Sequence, residues 1–415
     1  MEQAKDPVAP TAPDAVEVRH LRAFVAVAEE LNFSRAAERL YLSQPALSRQ
    51  IRTLERLVGC ELLRRSTRHV ELTLAGEALL DRAGPVLAAL DEAVAAAQTV
   101  GGELNARIMQ AWTPMLAIAT AVSSIQQMRD AFEGVLAQMP MAPEAPVRPA
   151  IAGGVSALVI GADPAILYLH GGNYVLGSAY GYRPLAAALT MAAGRGALVP
   201  DFRLAPEHPF PAALDDALAA YRWLAGQRGD ASGVVLAGDS SGAGLALAVL
   251  LSLKADGEAM PAGAALLCPN LDLSGAMLTP SAGPHLLDEL VRMCQAYVAG
   301  HPLEDPRVSP LLGDLTGLPP LLIQYASGDR ARPEAEALAR DARHAGVDVR
   351  VERYAADTHV FHMFWSFLPE AADAIGQAGG FLAGLLRASP AATTGDHAAN
   401  LPPASPRPRP SPRQI

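Results

Sequence analysis

The sequence predicts a multidomain protein: a small, basic, all-α module closed by a short β-hairpin, followed by a larger α/β unit on a mostly parallel sheet with helices on both faces. Three observations carry that prediction. Half of the 415 residues are hydrophobic, enough for more than one core. The charge is unevenly spread: the chain carries -10 overall, yet Val18 to Gly76 holds ten arginines against six glutamates, a +4 segment on a -14 body. From about residue 165 onward, short apolar runs rich in Val, Ile and Leu alternate with helical patterns, as in a sheet covered on both sides.

Residues 1–16 and 388–415 are rich in Pro, Ala and Ser and are expected to be disordered, since they cannot bury a core. The N-terminus lacks the apolar segment of a leader, and no uninterrupted apolar run is long enough to span a bilayer. Cys60, Cys268 and Cys294 are odd in number and lack metal-ligand spacing, so neither a disulfide framework nor a structural zinc site is expected. These features together lead us to expect a soluble, cytoplasmic protein without membrane contact.

The basic module occupies residues 17–76. Leu21, Phe24, Val25, Ala28 and Leu31 recur at helical spacing until Asn32, and Ser34 is expected to cap a short second helix, Arg35 to Leu40. Tyr41-Leu42 leads into a third helix with Ser43 as N-cap and Pro45 in its first turn. That helix puts Leu47, Ile51, Leu54 and Leu57 on one face and Gln44, Ser48, Arg49, Arg52 and Arg56 on the other. A helix of this kind can lay polar and cationic side chains in a major groove. Residues 61–72 then read as two short strands around a basic turn, suited to phosphate or minor-groove contact.

The run FVAVAEELNFSRAAERLYLSQPALSRQIRTLERLVGCELLRR, followed by LTLAGEALL, resembles the winged helix-turn-helix of LysR-type transcriptional regulators. The resemblance places Ser43, Gln44, Pro45, Ser48, Arg49 and Arg52 in the recognition helix and Thr67 and Arg68 in the wing, with double-stranded DNA as partner. It also implies a homodimer or higher homo-oligomer through the following segment, 77–122. There Thr73 caps a helix running towards Gln98, which Gly84-Pro85 is expected to kink or interrupt. Nothing beyond Gly101-Gly102 resembles the effector domain of that family.

Instead, Ser123 to Met139 reads as an amphipathic helix and Pro140 to Pro149 as a Pro-rich crossing, opening a unit that spans 123–387. Strands are expected near Ala165–Leu169, Gly196–Asp201, Val234–Gly238, Ala264–Cys268, Leu321–Tyr325 and Val347–Tyr354. Helices fall around Pro184–Ala193, Leu214–Ala225, Gly242–Lys254, Glu334–Ala345 and Phe361–Leu386.

The chemistry centres on Gly238-Asp239-Ser240-Ser241-Gly242, a G-x-S-x-G turn between an apolar strand and an apolar helix. Such a turn exposes the Ser240 hydroxyl on a strained backbone. An activated serine needs a base, a carboxylate to orient it and donors for the oxyanion. His359, in the loop after the last strand, supplies the base, with His362 as runner-up; Asp329, in the turn after the preceding strand, supplies the acid, with Glu334 as a weaker substitute. Gly171 and Gly172, after the strand ILYL, let backbone N–H groups face the developing charge, together with that of Ser241. No metal or cofactor is expected.

LYLHGGNYVLGS, DFRLAPEHPFPAALDD, LAGDSSGAGLAL, DPRVSPLLGDLTGLPPLLIQ and the HVFHMF ending together resemble the hormone-sensitive-lipase-like α/β-hydrolases, a fold with a small helical cap. The resemblance implies the same roles for Ser240, Asp329, His359, Gly171 and Gly172, a structural role for Arg203, Glu207 and Asp239, and small acyl esters as substrates. Two departures stand out. Asn173 replaces the commoner third glycine, and Arg-Ala-Arg-Pro-Glu follows Asp329 in place of an apolar pair and a second acid. The expectation is a serine carboxylic-ester hydrolase carrying a LysR-type DNA-binding domain, a DNA-binding esterase or ester-responsive regulator. A non-catalytic ligand sensor on the same fold, and an esterase with a vestigial DNA-binding domain, remain open.

Overall fold

The computed structural model of the chain describes residues 16–65, 70–118, 124–142, 145–274 and 284–388. It divides into two compact units, Met1–Ala106 and Arg107–Ile415. In the first, α1 (Val18–Glu30), α2 (Phe33–Arg39) and α3 (Gln44–Val58) enclose a core of Phe24, Val27, Leu47, Ile51 and Leu54, all fully buried. The strands β1 (Leu63–Arg65) and β2 (Val70–Leu72) pair antiparallel, Leu63 opposite Leu72.

Local chemistry explains where these helices begin and end. Asn32, not Ser34, caps α2: its side chain accepts from the N–H groups of Ser34 and Arg35 at 2.9 and 3.1 Å, two of the donors a helix start leaves unpaired. Gly59 ends α3 in the left-handed region at φ 76°. Thr73 accepts from Gly76 N–H at 3.0 Å and opens α4 (Leu74–Ala111), as expected. Of the expected kink or interruption at Gly84-Pro85, the interruption does not occur: α4 continues through Pro85 and runs on past Gly101-Gly102. Proline removes one backbone bond locally, and its Ala- and Leu-rich neighbours keep the helix going on either side.

In the second unit, α5 (Thr113–Ile118) and α6 (Ile125–Leu136) precede the sheet. Ser124 and Gln127 close a capping box at the start of α6. The strands are β3 (Val147–Ala152), β4 (Val155–Ile160), β5 (Pro164–Leu169), β6 (Gly196–Pro200), β7 (Val235–Asp239), β8 (Ala264–Leu267), β9 (Leu321–Ala326) and β10 (Val349–Tyr354). They line up in the order β10-β9-β8-β7-β5-β6-β4-β3. β5 to β10 run parallel, while β4 pairs antiparallel with both β6 and β3.

The β3–β4 hairpin was not expected, because β3 is largely exposed and carries Pro149, which suits an edge strand and weakens the sequence signal. The connections are α7 (Arg183–Ala193), α8 (Ala212–Arg228), α9 (Ser241–Ala255), α10 (Pro284–Val298), α11 (Arg332–His344) and, after β10, α12 (Pro369–Ala388). α9 is buried from Ser241 to Leu253, as an all-apolar helix under a sheet must be. The single helix expected over Phe361–Leu386 is instead a 3₁₀ turn, Phe361–Phe364, and α12, because Pro369 starts a new helix more readily than it continues one. α10 was not anticipated either.

Helices outside the α/β alternation form the small cap over the loops that follow β5 and β6. From α6, Arg129 donates to the carbonyls of Val175 and Ala205 at 2.9 and 3.0 Å and forms a two-pronged ion pair with Glu207 at 2.7 and 2.8 Å. From α10, Tyr297 stacks on Tyr174 with ring centroids 3.8 Å apart. Among the described residues no helix is long and apolar enough to cross a membrane.

Ile51 is fully buried in the core of the first unit, beside Leu47 and Leu54. Ile51→Ala is therefore expected to cost that unit about 2–5 kcal/mol. Calorimetry of the full chain should show its transition moving down while that of the second unit stays in place.

Candidate active site and nucleic-acid interface

Ser240 follows β7 and precedes α9 at φ 52° and ψ -124°, a conformation that costs a non-glycine residue about 1–3 kcal/mol. The surroundings hold it there. Ser240 N–H donates to Leu267 O at 2.9 Å, and Asn270 N–H donates to Ser240 O at 3.0 Å, tying the turn to the end of β8. Gly242 is required by close approach: a Cβ there would lie 2.1 Å from Leu169 O of β5. The sharp strand-to-helix turn thus follows from two glycines that let α9 begin against β5 and β7.

His359, in the loop after β10, and Asp329, after β9, converge on this serine. His359 Nε2 lies 2.8 Å from Ser240 Oγ, and His359 Nδ1 lies 2.8 and 2.9 Å from the two Asp329 carboxylate oxygens. A proton on Nδ1 satisfies the carboxylate and leaves the Nε2 lone pair facing the hydroxyl. Asp329 is buried, and burial opposes its ionisation. The facing His359 and the N–H of Ala331 at 2.9 Å outweigh that and hold its carboxyl down at about 2.

The runner-up residues lie elsewhere. His362 is buried against Gln324 at 3.1 Å, and burial pushes its ring down to about 3. Glu334 accepts from Leu271 and Asp272 N–H groups at 2.5 and 2.9 Å; burial nevertheless pushes its carboxyl up to about 7. It braces the segment after β8 rather than the imidazole.

The oxyanion loop requires a correction. Gly171 N–H donates to Asp239 Oδ1 at 3.0 Å and is occupied. The N–H groups of Gly172, Asn173 and Ser241 have no hydrogen-bond partner among the described residues. Gly172 adopts φ +115°, and a Cβ there would lie 2.2 Å from Leu176 O, so only glycine turns the loop at this point. Asp239 itself is fully buried and also accepts from the hydroxyls of Tyr168 at 2.7 Å and Tyr182 at 3.2 Å. Burial pushes its carboxyl up to about 6 against the pull of these three donors. The pairing signal was legible for Asp239, next to the serine, but not for its tyrosine partners, which lie about sixty to seventy residues away in sequence.

Arg203 pairs with Asp216 through contacts of 2.8 to 3.1 Å, which leaves Glu207 to Arg129. Among the described residues one group of possible metal donors comes together, Cys268, Asp329 and His359, within 4.8 Å of one another. Two of its three members already hydrogen-bond each other, and burial pushes the Cys268 thiol well above its ordinary range.

On α3, Ser43, Gln44, Pro45, Arg49 and Arg52 are exposed, and Ser48 is half-buried. Arg52 Nε donates to Ser48 O at 3.2 Å, whereas Arg49 has no ion-pair partner among the described residues. One face of the helix therefore presents cations and amides to solvent while Leu47, Ile51 and Leu54 hold the other in the core. Thr67 and Arg68 lie outside the described residues.

Residues 18–77 match the lysR family of bacterial regulatory helix-turn-helix proteins, and residues 166–363 match the alpha/beta hydrolase fold family. An acetyl-hydrolase of Streptomyces hygroscopicus is 46% identical over 222 residues, covering 52% of this chain and 74% of that protein. An esterase of Acinetobacter venetianus is 35% identical over 57% of this chain and 81% of its own length. Among solved structures, an esterase from the bacterial hormone-sensitive lipase family superimposes with a TM-score of 0.63 at 35% identity, over 69% of this chain and 98% of that one.

Glu334 supplies a pH test of this geometry. With its folded value raised from 4.5 to about 7, its contribution to stability is complete below about pH 4.5 and disappears as the pH rises through 7. Denaturation midpoints should fall between pH 5 and 7.5 by less in Glu334→Gln than in the parent; identical falls would contradict the buried, proton-binding carboxyl.

Proposed function

The chain belongs to the bacterial hormone-sensitive-lipase family of α/β-hydrolases, and with that as premise we propose that it is a serine carboxylesterase for small acyl esters whose basic N-terminal module binds double-stranded DNA. It is a carboxylesterase-type hydrolase with a LysR-type helix-turn-helix; the site roles and the regulatory role are our reading. The observation that carries the catalytic part is the 2.8 Å contact of Ser240 Oγ with His359 Nε2, with Asp329 directly behind the ring.

In this reading Ser240 Oγ attacks the ester carbonyl carbon as His359 Nε2 takes its proton. Asp329 holds the Nδ1 proton and balances the imidazolium charge. The oxyanion is received by the N–H groups of Gly172, Asn173 and Ser241, with Gly171 anchoring the loop. Collapse expels the alcohol, which takes the proton from His359. Water then repeats the sequence on the acyl-enzyme and releases the acid. No step draws on a metal or cofactor.

We assign residues 17–76 to DNA binding, 77–122 to a linker that mediates homodimer or higher assembly, and 123–387 to the hydrolase, in the cytoplasm where DNA is accessible. The exposed Gln44, Arg49 and Arg52 support the DNA assignment, because their donors match base edges and phosphates. The acidic body makes nonspecific DNA binding elsewhere on the chain unfavourable. An ester or its product acid would be the signal that the regulator reports.

Two measurements test the two parts separately. Ser240→Ala should lower turnover of p-nitrophenyl acetate by about a thousandfold or more, and an unchanged rate sinks the mechanism. Arg49→Ala should weaken retention of DNA flanking the gene by about tenfold in a mobility-shift titration. No shift by the parent protein at low salt would retire the DNA-binding reading.

A further inference from the structure

Trp112 joins α4 to α5, within the segment read above as a linker and outside residues 166–363 that match the hydrolase family. It is nevertheless built into the hydrolase. Its half-buried ring lies against that of Phe132 on α6, with centroids 6.4 Å apart, and Phe132 in turn lies 6.3 Å from the ring of Tyr182 at the start of α7. Phe132 and Tyr182 are buried, and both distances fall within the range over which aromatic rings pack. Tyr182 then donates its hydroxyl to Asp239 Oδ2 at 3.2 Å, one residue before Ser240.

Each link is fixed by further contacts. Where α4 ends, Gln138 Nε2 donates to Ala111 O at 3.1 Å, and a Cβ on Gly134 would touch Pro114 at 3.6 Å, so that α6 is held against the ends of both α4 and α5. The same helix is locked on the loop that carries Tyr182: Ser178 Oγ donates to Glu133 Oε1 at 2.7 Å, and a Cβ on Gly181 would lie 2.6 Å from both Glu133 Oε2 and Leu136 Cδ1. At the far end the Tyr182 ring stacks on His170 at 5.1 Å, and a Cβ on Gly171 would lie 3.0 Å from the Tyr182 hydroxyl. In so closely packed a row a shift of Phe132 is transmitted to Tyr182 rather than absorbed.

Asp239 is where such a shift acts on the chemistry. Its buried carboxylate ties Gly171 to the strand that ends at the nucleophile, so moving one of its three donors moves the oxyanion loop relative to Ser240. A misplacement of about an ångström, caused far from the reacting atoms, is enough to slow catalysis strongly.

We propose that Trp112 is a positioning residue of the esterase site, setting the Asp239 carboxylate, and with it the oxyanion loop, through Phe132 and Tyr182. The proposal rests on the serine-esterase reading and extends that same site to the turn that follows α4. The working hydrolase then includes Trp112, ahead of the unit that spans 123–387.

The test uses the full chain and p-nitrophenyl acetate, with competent sites counted by stoichiometric labelling of Ser240 with a fluorophosphonate. Per labelled site, Trp112→Ala should lower kcat by about tenfold while KM stays within about twofold, and Trp112→Phe, which keeps a ring against Phe132, should recover most of the loss. A tryptophan that served stability alone would reduce the number of labelled sites and leave kcat per site unchanged. Tyr182→Phe removes only the hydroxyl and should lower kcat by a similar factor; combined with Trp112→Ala it should lower it little further, because both changes act on one carboxylate. If Trp112→Ala does not fold, Trp112→Leu carries the same expectation. An unchanged kcat per site in the alanine or leucine variant, a loss that Trp112→Phe does not restore, or losses that multiply in the double variant would each overturn the positioning role. Absence of ester turnover by the parent protein would overturn the esterase reading and this role with it, an outcome distinct from any difference between parent and variants.

Discussion

The buried carboxylate of Asp239 is the constraint on which the hydrolase site depends. It lies beside Ser240 at the end of β7, and three donors from outside that strand end on it: the Tyr168 hydroxyl, the Tyr182 hydroxyl and the Gly171 N–H. Two elements that must stay in register, the turn bearing the hydroxyl and the loop bearing the free N–H groups, are thereby held by one side chain. A charge with no access to water is tolerated only with such a full set of partners, and losing it would leave three buried donors unmatched. The same bond engages the Gly171 N–H, whereas those of Gly172 and Asn173 have no hydrogen-bond partner among the described residues.

Part of the backbone strain lies in the same region. Asn173, Tyr174, Ser240, Cys268 and Val360 all have positive φ without being glycine, and all belong to the loops at the ends of the parallel strands. Such conformations persist only where the surroundings over-determine them. Here the Arg129–Glu207 pair, the Arg203–Asp216 pair and the Tyr174–Tyr297 stack brace the loops from the cap and from α8. These polar clamps connect a rigid sheet to loops that would otherwise have little to pack on.

The first unit works by a different logic. Its core is a small set of aliphatic and aromatic side chains, Phe24, Leu47, Ile51 and Leu54 among them, and its outer α3 face is left polar and cationic. The charge is divided accordingly, a basic module on an otherwise acidic chain.

Much of this was legible in the amino-acid order because it depends on neighbours in sequence. The period of Leu47, Ile51 and Leu54, the apolar runs of the parallel strands, and the glycines about Ser240 each declare their local structure. Where local signals were weak or mixed, the reading went astray: at β3, whose exposed face and Pro149 resemble a loop, at Pro85, which does not interrupt α4, and at Pro369, which divides the last helix. What the sequence by itself determined was the two-unit architecture, the elbow serine and the candidates for its base and acid. Only the tertiary structure decided that His359 rather than His362 faces Ser240, that Glu334 serves the β8 loop, that Gly171 is engaged by Asp239, and that Asn173 meets Asn270. The physical reason is that each of those contacts joins segments belonging to different strand–helix units, and their distances are set by the order and twist of the sheet rather than by any spacing along the chain.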